Sequence, residues 1–149
     1  MIGWRARLGF LVPPGNPTVE TEMIALAPQG VSLHFHRMTA RGIGGSLDGQ
    51  SERNQMMIDN IDGSVELLAM VEPDVIVVAH TATSYHLGRG GEADLLARLE
   101  RSSGRRVVTA FGSVVRALER PRHTQVGARD AVFGRGHVAG QGASRSPRT

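Results

Sequence analysis

Four short stretches within the first 120 residues have the hydrophobic pattern of β-strands. Three are nearly continuous apolar runs, at residues 7–12, 75–79 and 107–111, which is typical of strands buried in a parallel sheet. The run at residues 75–79 is predicted to be buried on both faces. The fourth stretch, residues 31–36, alternates apolar with polar residues, so it is predicted to be a half-covered strand at a sheet edge.

Helical patterns separate these strands. The first begins at Thr18, has acidic residues in its first turn where they suit the helix dipole, and ends before Pro28. A long helix is predicted from Ser51 as its N-cap, and shorter helices are predicted at residues 92–101 and 112–119. The long helix carries one apolar stripe that is expected to enter the core: Met57, Ile58, Ile61, Val65 and Leu68.

The elements alternate as β-α-β-α-β-α-β-α, with connections long enough for right-handed crossovers. We therefore predict an α/β domain over residues 1–120, a doubly wound four-stranded parallel sheet in the flavodoxin-like order 2-1-3-4. Ligands of such open sheets bind beyond the carboxyl ends of the strands. The polar stretch from His80 to Gly88 is therefore expected to be a loop that carries the chemistry, and a polar connection without a ligand is the alternative.

The composition removes several kinds of chemistry. The 149 residues include no cysteine, which excludes disulfides, thiolate metal sites and thiol nucleophiles. All 17 basic residues are arginine, so a lysine Schiff base and a P-loop lysine are excluded as well. No apolar run is long enough to span a membrane and the N-terminus lacks a secretory pattern, so we expect a cytoplasmic protein with no membrane partner.

The charge is divided unevenly along the chain. Residues 1–120 hold 12 arginines and 13 acidic residues, whereas residues 121–149 hold 5 arginines and 1 acidic residue. The second segment also lacks apolar periodicity, so we expect an Arg/Gly-rich, disordered tail. The basic character belongs to this tail, and the predicted domain gives no argument for nucleic-acid binding. A nucleic-acid binder that acts through the tail is the third and weakest functional hypothesis.

Two further features have ordinary structural explanations. His34 and His36 share one strand face at a spacing also seen in metal sites, but no third ligand is evident nearby, so two polar-face histidines are preferred. Residues 40–50 contain four glycines and are expected to form a mobile loop. The glycines at positions 42, 44 and 45 have neither the spacing nor the strand-to-helix context of a dinucleotide fingerprint.

Two segments together resemble a known group of enzymes. Residues 11–22, LVPPGNPTVETE, resemble the first-strand loop of maleate cis-trans isomerases and arylmalonate decarboxylases. Residues 77–88, VVAHTATSYHLG, resemble the loop after the third strand of the same enzymes, which belong to the aspartate/glutamate racemase superfamily. The resemblance extends over roughly residues 5–120 and corresponds to the N-terminal half of those proteins only.

The resemblance implies a cofactor-free isomerase or decarboxylase that acts on a small dicarboxylic acid, maleate-like or arylmalonate-like. It implies that Asn16 binds a substrate carboxylate, and that Thr81, Thr83 and neighbouring backbone N–H groups form an anion pocket. Short donors on a strand-to-helix turn suit a carboxylate or an enediolate oxyanion. The expected substrate-binding residues are Pro14, Asn16, Thr81, Ala82 and Thr83. No metal is implied, and a homo-oligomer is left open.

The chain departs from that family in two places. Racemases and isomerases of the family use one cysteine from each of two similar α/β halves, and the first would fall at about His80; the decarboxylases also lack that first cysteine. A histidine near neutral pKa can act as a general acid or base, so His80 is the candidate catalytic residue. The alternative is a structural histidine that fills the space of the missing thiol and hydrogen-bonds the loop. The second half would begin around residue 121, where the Arg/Gly-rich tail stands instead. We therefore hypothesise a truncated or frame-shifted member of the superfamily.

Two functional hypotheses lead. In the first, the chain is an enzyme in which His80 is the acid or base while Asn16, Thr81 and Thr83 hold the carboxylate. In the second, it is a non-catalytic remnant or a small-anion-binding α/β domain that lacks the second catalytic half. Activity toward maleate, aspartate and arylmalonate distinguishes the two.

Overall fold

The strands of the chain form one parallel sheet in a computed structural model that describes residues 3–42 and 49–120. The strands are β1 (Ala6–Val12), β2 (Val31–Arg37), β3 (Val75–Val78) and β4 (Arg106–Thr109). Their order across the sheet is β2-β1-β3-β4, and each neighbouring pair is parallel. The predicted fold class and strand order are therefore confirmed, and β2 lies at a sheet edge as its alternating pattern indicates.

The helices of the described residues follow the strands in the α/β pattern. They are α1 (Val19–Leu26), α2 (Gln50–Asp59), α3 (Ile61–Ala69), α4 (Thr81–Ser103) and α5 (Ala110–Glu119). None of these described helices has the length and hydrophobicity that a membrane crossing requires.

The predicted long helix is divided into α2 and α3 at Asn60. This residue leaves helical geometry with φ −104° and ψ 8°, and its side-chain Nδ2 donates to the Met56 carbonyl at 2.7 Å. The break costs little hydrogen bonding, because the Asn60 backbone N–H also still donates to the Met56 carbonyl, at 3.2 Å. The predicted N-cap was also wrong: Gly49 caps α2 in a left-handed conformation with φ 65°, and Ser51 lies inside the helix.

The stretch after β3 is helical, and its prediction as a loop was wrong. Helix α4 begins at Thr81 and continues past a kink at Gly88, where φ is 64° and ψ is 179°. Residues 81–87 have hydroxyl and β-branched side chains with poor helix propensity and no apolar stripe, so their periodicity gives no helical indication. Tertiary packing overrides that weak propensity, since Thr83 and Ser84 are buried.

The hydrophobic core lies between the sheet and helices α2, α3 and α4. All five residues of the predicted apolar stripe are buried in it. On β3, Ile76 and Val78 are fully buried but Val75 and Val77 are only half-buried, so the expectation that this strand is buried on both faces was wrong. The core cluster comprises Leu11, Met38, Met57, Ile61, Val65, Leu68, Ile76, Val78, Leu95, Leu99 and Val107.

Two expectations concern residues outside the described ranges. Residues 43–48 hold the central part of the predicted glycine-rich loop, and residues 121–149 are the predicted Arg/Gly-rich tail. Both expectations stay predictions.

Candidate functional site

The carboxyl ends of β1 and β3 lie side by side, and the two segments expected to carry the chemistry begin there. Strand β1 pairs with β3 in parallel through Leu11 and Val78. The pairing continues one residue further, because the Ala79 N–H donates to the Leu11 carbonyl at 2.9 Å. The loop after β1 and the start of α4 therefore leave neighbouring strands at the same edge of the sheet, which is the edge where open α/β sheets bind ligands.

The loop after β1 is ordered around Asn16. Its backbone N–H donates to the Pro13 carbonyl at 3.1 Å, which closes a turn with Pro14 exposed at its second position. Its side-chain Oδ1 accepts the backbone N–H groups of Thr18 at 2.9 Å and Val19 at 3.0 Å. The amide oxygen therefore caps the start of α1.

The hydrogen bonds of this cap determine which atom of the Asn16 side-chain amide is available to bind a ligand. Because Oδ1 accepts backbone donors, the Nδ2 group is the donor that remains, and it makes no hydrogen bond with another described residue. A primary amide donor suits a carboxylate oxygen. Pro14 has no N–H, so it can contribute only its shape and its carbonyl.

Arg37, at the end of β2, holds this loop in place and was missed by sequence reasoning. Its guanidinium donates to the Pro13 carbonyl at 3.0 Å and to the Asn16 carbonyl at 2.7 Å, and it also forms an ion pair with Glu20 on α1. An arginine fork can serve several acceptors at fixed geometry. The only indication in the sequence is its place, at the carboxyl end of a strand next to β1.

His80 is the last residue before α4, and its side chain is tied to that helix. Nδ1 lies 3.0 Å from the Thr83 hydroxyl, and the Thr83 N–H donates to the His80 carbonyl at 3.2 Å. The ring is half-buried. With Nδ1 occupied, Nε2 is the ring atom left for proton exchange, and it makes no hydrogen bond with another described residue.

Burial lowers the pKa of His80 from its ordinary value of 6.5. Removing water from the ring disfavours the charged imidazolium. The neutral ring that results can accept a proton, which is the state a general base needs at neutral pH.

The three predicted residues at the start of α4 have different environments. Thr81 is exposed and Ala82 is half-buried, whereas Thr83 is fully buried with its hydroxyl bonded to His80. The first N–H groups of a helix have no intrahelical acceptors, and they carry the positive end of the helix dipole. The backbone N–H groups of Thr81 and Ala82 therefore have no acceptor within the helix, while the Thr83 hydroxyl contacts the His80 ring.

The histidine pair on β2 has an ordinary structural environment. His34 Nε2 lies 3.0 Å from the Ser32 hydroxyl on the same strand face. Within residues 3–42 and 49–120, no group of three or more His, Cys, Asp or Glu side chains is arranged to hold a metal ion.

Comparison with known proteins places this fold in one structural class. No protein-family model and no curated protein sequence matches the chain. Solved structures do match it, among them maleate isomerases and an arylmalonate decarboxylase. The chain therefore has an Asp/Glu racemase-like fold, and the resemblance inferred from residues 11–22 and 77–88 is confirmed at that level.

Three of these structures define the likeness. The maleate isomerase Iso from Pseudomonas putida, in a variant solved with maleate, matches with a TM-score of 0.64 and 23% identity over 76% of this chain and 48% of its own. A Nocardia farcinica maleate cis-trans isomerase variant with a covalently bound succinylcysteine intermediate matches with a TM-score of 0.62 and 28% identity, over 76% of this chain and 47% of its own. A liganded arylmalonate decarboxylase variant matches with a TM-score of 0.63 and 18% identity, over 76% of this chain and 45% of its own. The chain spans about half the length of these proteins, which is consistent with an N-terminal half.

Proposed function

We propose that this chain carries the carboxylate-binding half of a cofactor-free isomerase or decarboxylase site for a small dicarboxylic acid. Asn16 Nδ2 and the N–H groups at the start of α4 bind one carboxylate, and His80 is the proton-transfer residue. The observation that supports the proposal is the pairing of β1 with β3, because the segments that carry these groups leave the two neighbouring strands at the same edge of the sheet. Two helix N-termini, those of α1 and α4, also begin at this edge, and their dipoles favour an anion there.

The chemistry proposed for His80 differs from thiol chemistry. The Nocardia farcinica structure holds a succinylcysteine intermediate, but this chain has no cysteine and cannot form one. A neutral imidazole can instead remove a proton from the carbon next to a carboxylate, and the imidazolium so formed can return that proton to the enediolate. In a decarboxylation the ring first takes a proton from water and, as imidazolium, gives it to the enediolate that remains after CO₂ leaves. The donors that hold the carboxylate also stabilise the negative charge that develops on its oxygens.

The second candidate function is anion binding without turnover. It is supported by the extent of the likeness, because the chain covers only 45% to 48% of the maleate isomerase and arylmalonate decarboxylase chains that it matches. The proposed donors and His80 all belong to one edge of one sheet. When the reacting carbon stays exposed to water, electrostatic interactions stabilise the transition state less. Both candidates predict carboxylate binding, and only the first predicts proton transfer.

The binding step is tested by two replacements of Asn16 that separate its two roles. Asn16→Asp keeps an oxygen that caps α1 but replaces the Nδ2 donor with a negative charge, so we expect maleate binding to weaken about tenfold or more. Asn16→Ala removes both roles and is expected to cost about 1 kcal/mol of stability as well. Calorimetric titration with maleate and chemical denaturation measure the two effects. Equal maleate affinity in wild type and Asn16→Asp would contradict this assignment.

A further inference from the structure

A polar cluster of a half-buried carboxylate and two buried hydroxyls connects α4 to the carboxyl end of β4. Glu92 Oε1 accepts hydrogen bonds from the Ser84 hydroxyl, at 2.8 Å, and from the Thr109 hydroxyl. Thr109 Oγ1 accepts in turn from the Gly112 N–H at 2.9 Å. Ser84 is 4% exposed and Thr109 1% exposed. These hydroxyls have lost their contact with water, so they depend on the Glu92 carboxylate for an acceptor.

The cluster spans the kink in α4. Ser84 lies before Gly88 and Glu92 lies after it, so the carboxylate joins the two parts of the helix on either side of the kink. The same carboxylate reaches Thr109, the last residue of β4. The Glu92 carboxylate therefore links the segment 81–87 to the end of β4.

That segment is the one that carries the candidate site. Thr83, one residue before Ser84, holds the His80 ring through its hydroxyl at 3.0 Å. Thr81, at the first position of the segment, is a proposed anion donor. A shift of the segment relative to β4 would move the ring and the anion donors together.

The acceptor in this cluster is a carboxylate, which suits the two hydroxyl donors that face it. A carboxylate oxygen can accept two hydroxyl hydrogen bonds at once, and hydrogen bonds to an ionised acceptor are stronger than neutral ones. Glu92 makes no ion pair within the described part of the chain, so the hydroxyls of Ser84 and Thr109 are its partners there. A carboxylate that accepts from one hydroxyl across the helix kink and from another at the end of β4 points to a positional role.

We propose that Glu92 is a positioning residue for the site: it fixes the segment 81–87 against the end of β4 and thereby sets the orientation of the His80 imidazole. The inference rests on the proposed function and deepens it. It assigns no direct contact between Glu92 and a substrate. Glu92 acts through Ser84 and Thr109, and its effect reaches His80 through Thr83.

The chain offers a matched control on the same helix. Glu100 also lies on α4 and also binds β4, since its Oε1 accepts the Val107 N–H at 3.0 Å. That contact lies nearer the amino end of β4, eight residues beyond Glu92 in the helix. Glu100→Ala therefore removes a glutamate that joins α4 to β4 without touching the cluster around Ser84.

The test follows the His80 ring by NMR in the full chain, and needs no turnover. In Glu92→Ala we expect the pKa of His80 to rise toward its ordinary value of 6.5, because a loosened segment admits water to the ring. We also expect the amide hydrogens of residues 84–87 to exchange about tenfold faster. Glu92→Gln keeps a carbonyl acceptor and is expected to restore the wild-type titration in large part, and Glu100→Ala is expected to leave it unchanged.

A second variant covers the case in which Glu92→Ala does not fold. Ser84→Ala cuts the contact to the segment 81–87 and keeps the one between Glu92 and Thr109, and it is expected to raise the pKa of His80 in the same direction. An unchanged titration in Glu92→Ala, or in Ser84→Ala if that is the folded variant, overturns the proposal. So does an equal rise in Glu100→Ala. Because the readout is the ring itself, these outcomes are separate from failure of the proposed activity.

Discussion

At the scale of single residues, the candidate site depends on side chains whose hydrogen-bonding roles are already fixed by neighbouring residues. Asn16 gives its oxygen to the start of α1 and keeps its amide donors. His80 gives Nδ1 to Thr83 and keeps Nε2. In both cases the local fold selects which atom can meet a ligand, and this lowers the entropy cost of organising the site when a ligand binds.

The lowered pKa of His80 predicts a pH dependence of stability. Below the unfolded pKa of 6.5 the unfolded ring takes up a proton, while the folded ring, with its pKa lowered by burial, does not. The contribution of His80 to stability is therefore fully present above that value, and it is lost as the pH falls through the window below it.

Urea unfolding at pH 7.5 and pH 5.5 measures this effect. His80→Gln removes the titrating group, so the variant is expected to lose less unfolding free energy than wild type between the two pH values. The other histidines are common to both proteins and cancel. A loss as large in His80→Gln as in wild type would show that His80 does not bury its neutral ring in the folded state.

At the scale of elements, the strands were predictable and the contacts that build the site were not. The strand patterns at residues 7–12 and 75–79 follow from local burial, and the alternation of strands with helices predicted the order of the sheet. The contact from Arg37 to Pro13 joins positions 24 apart, and the contact from Thr109 to Glu92 joins positions 17 apart. Such pairs leave no periodicity in a single sequence, because only the folded topology brings them together.

The helix errors have a related cause. The division at Asn60 and the helical start at Thr81 both fall where local propensity is weak and tertiary contacts decide. The apolar stripe from Met57 to Leu68 crosses the division unbroken, so its continuity suggested one helix. The hydroxyl-rich segment 81–87 is held by buried contacts of Thr83 and Ser84, which the sequence pattern does not reveal.

The kink at Gly88 gives a test at this scale. Its φ of 64° is left-handed, and a Cβ added there would meet nothing within 4 Å. Gly88→Ala is therefore expected to cost about 1 kcal/mol through the backbone alone. Gly63, inside α3, also has open space but no left-handed φ, and Gly63→Ala is expected to stabilise by up to about 1 kcal/mol. Thermal or urea unfolding of both variants measures this, and effects of the same sign would contradict the assigned kink.

At the scale of the whole molecule, the stability of the described α/β unit comes from one core. The buried cluster runs from Leu11 to Val107 and joins three strands to α2, α3 and α4. Gly9 shows how closely this core is packed, since a Cβ there would lie 3.0 Å from a Leu68 methyl group.

We expect this core to keep the α/β unit folded when residues 121–149 are absent. Their deletion is predicted to change the free energy of unfolding by less than about 1 kcal/mol, the usual scale for changes away from packed features. Urea denaturation of the full chain and of residues 1–120 measures the difference. A loss of several kcal/mol would contradict the division of the chain at residue 120.

The central claim is that His80 moves a proton at the carbon next to a carboxylate held at this edge of the sheet. The most direct measurement is deuterium incorporation from heavy water into the α-carbon of aspartate and phenylmalonate, read by NMR against a blank without protein. The wild-type chain is predicted to exchange that hydrogen faster than the blank, and His80→Gln is predicted to reduce the excess rate by ~10² to 10⁴. No exchange above the blank by the wild-type chain, or an equal rate in His80→Gln, would contradict the claim.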